Sequence, residues 1–242
     1  MYKNSNKTMP PSYVSHNKGF SLIELLVSIV LFGLITTGIL VVYSKVGEQI
    51  FATTLAYDVA LAFRQAQNYG VSVKGFGGTD AEAYDISYGL HFQSGGEGDN
   101  TSFVLFVDER DPSDGKKNQQ YDGTHSSAGC AAGVTECVKM SRIQHSNVIL
   151  KFCGVLPPDL GRDAPDEQKN EECTSASTPP SNPPANISRL DVLFERPNPD
   201  AIIRTNLSGL TERYKAARVY IKSPRGEKRV IEVMSTGQIS LK

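Results

Sequence analysis

The sequence predicts an α+β fold in which a long N-terminal helix packs on an antiparallel β-sheet domain, with the first half of the helix spanning a membrane. Three observations predict this fold. An apolar run lies near the N-terminus, and an amphipathic stretch of helical period follows it. From about residue 86 onward, apolar residues recur with the period of two that is typical of strands. Hydrophobic residues make up 39% of the 242 positions and charged residues 21%, which excludes a disordered chain.

The apolar run, Phe20 to Tyr43, is predicted to be a transmembrane helix. Its 24 residues carry one formal charge, Glu24, and would form a helix about 36 Å long at roughly 1.5 Å per residue. A hydrocarbon core is about 30 Å thick, so this helix is long enough to cross it. An ordinary secretory signal is cut after its apolar region at an A-x-A-like site, and the residues after Val42 do not fit such a site.

The polar leader before this run, residues 1–19, differs from the rest of the chain in its charge. It contains three lysines and no acidic residue, so its removal takes the net charge from -1 to -4 because three positive charges leave. By the positive-inside rule these lysines keep the N-terminus in the cytoplasm. The C-terminal domain is therefore expected to be extracytoplasmic.

Residues 44–72 are predicted to continue the helix as an amphipathic segment. The pattern ends near Tyr69, and Gly70 is a plausible helix stop, so one helix is expected from Phe20 to Tyr69. Two adjacent rows of apolar residues run along it, the first Ile50, Thr54, Tyr57 and Leu61 and the second Phe51, Leu55, Val59, Phe63 and Ala66.

Residues 73–242 are predicted to form a β-rich extracytoplasmic domain. Two polar stretches, Asp108–Gly133 and the Pro-rich 156–186, are expected to be surface insertions because they cannot bury enough apolar surface to offset their ordering entropy. The predicted strands are Ile86–Phe92, Ser102–Val107, Asn147–Cys153, Leu190–Glu195, Ala201–Thr205, Ala217–Lys222, Arg229–Met234 and Gln238–Leu241.

Four cysteines, an even number in a predicted exported domain, indicate two disulfides. Three connectivities are open. We favour Cys130–Cys137 and Cys153–Cys173, because each would close a local loop. No pair has the C-x-x-C spacing that favours zinc or thioredoxin-like chemistry.

Glu24 needs an explanation because a carboxylate within a membrane helix costs a few kcal/mol. If the chain is cut after Gly19, Phe20 gains an α-amine four residues before Glu24. In an assembled bundle, Glu24 of one subunit could pair with the Phe20 amine of a neighbour and fix the register. Alternatively, Glu24 lies at the helix start, where the helix dipole favours it. The spacing alone weighs these two interpretations about evenly.

The run Gly19-Phe20-Ser21-Leu22-Ile23-Glu24, opening an apolar helix, resembles the prepilin-type cleavage and methylation motif of type IV pilins and pseudopilins. The resemblance implies cleavage between Gly19 and Phe20 by prepilin peptidase, N-methylation of Phe20, and a role for Glu24 in assembly. It also implies other pilin or pseudopilin subunits and an inner-membrane assembly platform as partners, with membrane lipid around the helix before assembly.

The outer domain is also similar to H-type minor pseudopilins. This similarity is looser than that of the N-terminal motif and covers about half of the domain. That resemblance implies a long helix packed on antiparallel sheets, and the Pro-rich insertion departs from it, so the subclass stays open. The segments that carry it are Leu61–Gln67, Tyr88–Phe92, Val219–Glu232 and Ser235–Ser240.

Several other patterns favour ordinary surface structure over a site. The acidic loop Asp108, Glu109, Asp111 and Asp114 lacks the spacing of an EF-hand, so a solvated loop is expected rather than calcium. The four histidines are scattered and no catalytic constellation is present, so neither a metal nor a cofactor is predicted. A solvated strand face is expected, rather than a DNA contact, for the basic C-terminal hairpin with Lys215, Arg218, Lys222, Arg225, Lys228 and Arg229.

The sequence therefore predicts a non-enzymatic, pilin-like filament subunit, a minor pilin or pseudopilin. The alternative is a single-pass membrane-anchored protein with an extracytoplasmic ligand-binding domain that is not assembled into filaments. Adhesion or twitching pili, DNA-uptake pili and type II secretion pseudopili remain open as the system that uses it.

Overall fold

The computed structural model describes residues 19–72, 74–76, 85–94, 100–110, 115–123, 129–130, 136–157, 171–173, 187–207 and 214–242, without the side chains of residues 42–49 and 171–172. The chain divides into two compact units, Met1–Lys45 and Val46–Lys242. In its described part the first unit is helical. The second unit contains the later part of the same helix and all the described strands.

The helix, α1, spans Leu22–Val71. It therefore begins and ends two residues later than predicted, and Gly70 is not its stop. A Cβ added at Gly70 would lie 2.2 Å from the carbonyl oxygen of Phe194. The glycine at this position allows the last turn of α1 to approach the strand backbone closely.

The strands form two five-stranded antiparallel sheets. Sheet A has the strand order β3-β2-β1-β6-β7, and sheet B has the order β10-β9-β8-β4-β5. The strands are β1 (Ser87–Gln93), β2 (Ser102–Asp108), β3 (Cys137–Arg142), β4 (Val148–Val155), β5 (Glu171–Cys173), β6 (Arg189–Phe194), β7 (Ala201–Thr205), β8 (Ala216–Lys222), β9 (Lys228–Met234) and β10 (Ile239–Leu241).

One hydrophobic core joins α1 to both sheets within the second unit. The helix contributes the residues that recur at helical spacing, among them Val59, Phe63 and Ala66, all fully buried. Sheet A contributes alternate residues of its strands, such as Leu90 and Phe92 of β1, and sheet B does the same with residues such as Ile221 and Ile231. This arrangement confirms the predicted α+β class.

The opposite face of sheet A is also covered. A second, smaller cluster on that face contains Val104, Phe106 and Leu193 from the sheet and Tyr121 from residues 115–123. We call residues 115–123 the strap. Because both faces of the sheet are covered, β1, β2 and β6 are buried almost throughout instead of alternating between buried and exposed positions.

All eight predicted strands are confirmed, each with bounds within two residues of the prediction. Two further strands were not predicted. β3 has a mixed polar sequence at the edge of sheet A, and β5 lies within the 156–186 stretch that was expected to be a loop. Asp108 was also placed in an insertion, but it is the last residue of β2 and is fully buried.

Candidate functional site

Two polar residues at the N-terminal end of α1, Ser21 and Glu24, occupy positions that favour the start of a helix. Ser21 immediately precedes the helix, and its carbonyl oxygen accepts a hydrogen bond from the Leu25 N–H at 3.1 Å. Serine is among the preferred helix N-cap residues. Glu24 is the third helical residue, so Ser21 and Glu24 have the capping-box spacing, and a carboxylate in the first turn also complements the helix dipole. The effect of the helix dipole on Glu24 was expected from the sequence, whereas the capping-box spacing was not identified there.

The segment Leu22–Val41 is the one described helix that is long and apolar enough to cross a membrane. Its mean hydropathy is 2.3, and none of the 18-residue window is buried within the protein. A signal sequence near the N-terminus would have the same length and apolar character. However, an exposed apolar surface of this length requires lipid or other protein chains around it.

The hydroxyl groups in this apolar segment are satisfied within the helix. The side chains of Ser28, Thr36 and Thr37 each donate a hydrogen bond to the carbonyl oxygen four residues earlier, at 2.7 to 2.8 Å. In a hydrocarbon environment an unsatisfied polar group costs several kcal/mol, so internal pairing suits a helix that lies in lipid.

One protein family matches this end of the chain. Its model, described as the prokaryotic N-terminal methylation motif, matches residues 14–40, which include Gly19, Phe20 and Glu24. This match supports the resemblance of the N-terminus to type IV pilins and pseudopilins. No curated protein and no solved structure matches the chain. The family match is confined to the first unit, so it gives no subclass for the sheet domain.

In the second unit, the structure separates the two apolar rows predicted along α1. Leu55, Val59, Phe63 and Ala66 face the core. Residues of the other row are exposed, with Ile50 at 56%, Tyr57 at 57% and Leu61 at 57%. Phe51 was grouped with the core row but is 40% exposed and stacks on the His145 ring, with a centroid distance of 4.1 Å. The helix thus has an exposed row, which we define as Ile50, Thr54, Tyr57 and Leu61.

The four cysteines form the two disulfides that were favoured from the sequence because each closes a local loop. Cys130 pairs with Cys137, the first residue of β3. Cys153 of β4 pairs with Cys173, which lies opposite it in β5. Within the described residues no cysteine is free.

The acidic segment after β2 is only partly as expected. Asp108 is fully buried rather than solvated, and its Oδ1 has no hydrogen-bond partner within the described structure. Burial raises the pKa of Asp108 to about 7, and burial likewise raises the pKa of Glu136 to about 7. Asp111 and Asp114 lie outside the described residues. Among the described residues, no group of three or more His, Cys, Asp or Glu side chains could hold a metal ion.

Two buried pairs of polar side chains that belong to the sheets were not predicted from the sequence. His91 and Asp191 lie opposite each other in β1 and β6, both buried, with Nδ1 and Oδ1 2.6 Å apart. In sheet B, Arg218 pairs with Glu232 at 2.6 Å, and both are at least nine-tenths buried. Arg218 therefore departs from the solvated face expected of the basic hairpin. Charge alone did not reveal these pairs, because their burial depends on which strands become neighbours.

Proposed function

We propose that this pilin-like protein is a non-enzymatic structural subunit that is cleaved between Gly19 and Phe20, methylated at Phe20 and assembled into a pilus or pseudopilus. The observation that carries the proposal is the junction of a methylation motif with an apolar helix whose surface is wholly exposed. A chain that presents such a surface has two stable environments, lipid before assembly and other helices after it.

Assembly would exchange lipid contacts for helix–helix contacts. Lipid tails are as apolar as leucine, so the exchange is driven by close packing and polar pairing rather than by the hydrophobic effect. In the second unit, the exposed row of Ile50, Thr54, Tyr57 and Leu61 extends the contact surface of α1 beyond the membrane segment. These contacts are the proposed means by which neighbouring subunits recognise one another.

The proposed topology places residues 1–19 in the cytoplasm, the Leu22–Val41 segment of α1 across the inner membrane and the sheet domain outside. The leader lysines support this orientation by the positive-inside rule. The two disulfides support an oxidising compartment for the sheet domain. Prepilin peptidase, an inner-membrane assembly platform and other pilin or pseudopilin subunits are then the proposed partners.

Processing at Gly19 can be tested separately from folding. Within the described structure, nothing lies within 4 Å of a Cβ built at Gly19, so no internal packing requires a glycine there. The requirement for a small residue would belong to the peptidase. We expect intact-mass spectrometry of the chain co-expressed with prepilin peptidase to show a product that begins at methyl-Phe20.

The variant Gly19→Val should keep its leader, whereas Gly38→Ala, which also has no neighbour within 4 Å, should be processed normally. A wild-type chain that retains residues 1–19 in the presence of active peptidase would contradict the proposal. That result would favour a membrane-anchored ligand-binding protein instead.

The role of Glu24 can be separated from helix capping because glutamine also fits the capping box. If Glu24 pairs with the Phe20 amine of a neighbouring subunit, Glu24→Gln and Glu24→Ala should both be processed and both fail to enter filaments. Ser21→Ala removes the hydroxyl group at the N-cap position and keeps the Glu24 carboxylate, so this variant should assemble. The measurement is the fraction of each variant in sheared filaments. Normal incorporation of Glu24→Gln together with loss of Glu24→Ala would show a capping role and exclude the ion pair.

We further propose that the chain is a minor subunit at the filament tip, because its sheet domain is large and carries long polar insertions for a subunit that packs repetitively. Immunogold labelling confined to filament tips is the expected result. Labelling along the whole shaft would identify a major subunit.

A further inference from the structure

The strap, residues 115–123, is held over the outer face of sheet A by contacts spread along its length. Near its start, the Lys117 ammonium contacts Asp85 at 3.0 Å and Glu195 at 2.6 Å. In its middle, the Arg204 side chain of β7 donates to the Gln119 Oε1 at 3.0 Å. These contacts join the strap to Asp85 just before β1, to Glu195 just after β6 and to Arg204 within β7.

Tyr121 is the apolar anchor of the strap. Its side chain is 2% exposed and lies on the second hydrophobic cluster, with its ring 5.4 Å from Phe106 and 4.8 Å from His91. Without the strap, Val104, Phe106 and Leu193 would lose the aromatic side chain that covers them. The strap thus closes an apolar face of sheet A.

Two buried carboxyl groups hold the backbone of the strap on either side of Tyr121. The Gln119 N–H donates to the Asp108 Oδ2 at 3.2 Å, and the Asp122 N–H donates to the Glu136 Oε2 at 2.7 Å. Asp108 is fully buried and Glu136 is 7% exposed. Because the strap backbone supplies these N–H donors, lifting the strap would leave both acceptor oxygens to water.

We infer that the strap is a pH-dependent cover, which stays closed while Asp108 and Glu136 are protonated and is released when they ionise. Ionised carboxylates buried at this site face few cations and several other acids. Lys117 is the cation that acts on Asp108, whereas Glu195 and Asp122 repel its charge. Asp122 and Asp108 repel that of Glu136. Arg204 contacts the strap through Gln119, and the His91–Asp191 pair lies beneath Tyr121.

The direction of the effect follows from the two pKa values. Burial raises each pKa to about 7 in the closed state, despite the backbone N–H groups that favour the ionised form. In an open strap the solvated carboxyls would return to ordinary values near 4. The closed state therefore binds more protons, so raising the pH from about 4 to about 7 favours opening, by up to tenfold per pH unit for each carboxyl.

Hydrogen exchange of the full-length protein in detergent micelles tests this inference. After correction for the pH dependence of the chemical exchange rate, we expect the opening constant of the strap amides to increase from pH 5.5 to pH 7.5 by about 20-fold per carboxyl, or several hundredfold for the two together. The amides of β8 and β9 should show no such increase, which distinguishes strap opening from global unfolding. A pH-independent opening constant of the wild-type strap would overturn the inference without the use of any variant.

Neutral substitutions provide the second test. Asp108→Asn and Glu136→Gln keep the acceptor oxygens and cannot ionise, so each should reduce the pH dependence and the double variant should abolish it. Asp200→Asn makes the same chemical change at an exposed carboxyl and should behave as the wild type. An unchanged pH dependence in the double variant would assign the effect to another group and overturn the inference. These outcomes are independent of whether the chain is processed or assembled.

Discussion

Phe63 and Tyr57 lie on two faces of α1 that differ in burial, and we expect these faces to have different roles in folding and assembly. Phe63 is fully buried and its ring lies 5.9 Å from that of Phe92, whereas Tyr57 on the other side of the helix is 57% exposed. We expect Phe63→Ala to lower the free energy of unfolding by about 3–5 kcal/mol, because it removes a buried aromatic ring and leaves a cavity. Chemical denaturation of the full chain in detergent measures this loss.

Tyr57→Ala is the matched control for Phe63→Ala, since it truncates an aromatic residue of the same helix without opening the core. Its free energy of unfolding should stay within about 0.5 kcal/mol of the wild type. Its incorporation into filaments should fall if the exposed row is an assembly surface. A large loss of stability in Tyr57→Ala would mean that this row packs within the subunit.

Gly70 marks a limit of prediction at the scale of one residue. A glycine near the end of an amphipathic pattern ordinarily indicates a helix stop, but here the helix continues to Val71. The reason for the glycine is the backbone of Phe194, which would lie 2.2 Å from an added Cβ. The position of β6 beside α1 is a long-range property, so the local sequence did not reveal this role.

At the scale of elements, the sequence predicted what depends on local pattern. The eight predicted strands have apolar runs or alternation, and the long helix has a clear period. β3 was missed because its sequence, Cys-Val-Lys-Met-Ser-Arg, mixes charge into an edge strand. β5 was missed because it has three residues and lies in a polar stretch. Its pairing with β4 brings Cys173 opposite Cys153, so the cysteine spacing was the available signal.

The Cys153–Cys173 disulfide is expected to hold β5 on sheet B. It joins residues 20 positions apart, a separation for which loop closure contributes about 3 kcal/mol. Replacing both cysteines by serine should therefore detach β5 from β4 and make residues 171–173 more susceptible to protease. Limited proteolysis followed by mass spectrometry locates the cuts.

The Cys130–Cys137 pair supplies the comparison for this experiment. The double serine variant of that pair should leave cleavage at residues 171–173 unchanged, because its disulfide lies beside sheet A. Equal protease sensitivity in both double variants would show that the disulfides act on overall stability rather than on the elements they join.

For the whole molecule, the candidate functional site was more predictable than the packing of the sheet domain. The methylation motif is contiguous in sequence, so Gly19, Phe20 and Glu24 could be identified before any fold was known. Asp108 and Glu136 are 28 positions apart and come together beneath the strap only when β2 and β3 pair. Their burial could not be predicted from an acidic sequence, which by itself favours a solvated loop.

These buried carboxyls also make a prediction for the stability of the whole protein. Asp108 and Glu136 have pKa values raised to about 7, so the stability present below their unfolded values is lost as the pH rises through about 7. At the acid end the sign is opposite. Hydrogen bonds from Arg110 and Lys117 lower the pKa of Asp85. Burial raises the pKa of Glu232, but Lys242 and Arg218 outweigh it and lower the net value. The stability from these two groups is lost as the pH falls below about 4.

The free energy of unfolding should therefore be highest near pH 5 and should fall by about 3–5 kcal/mol by pH 8. Urea unfolding of the full chain in detergent, repeated across this range, measures the profile. The variant with both Asp108→Asn and Glu136→Gln should lose the decline above pH 5 and keep the decline at acid pH, because Asp85 and Glu232 are unchanged. If the wild-type protein is equally stable at pH 5 and pH 8, the two carboxyls ionise in the folded protein as readily as in water, and sheet A carries no buried charge cost at neutral pH.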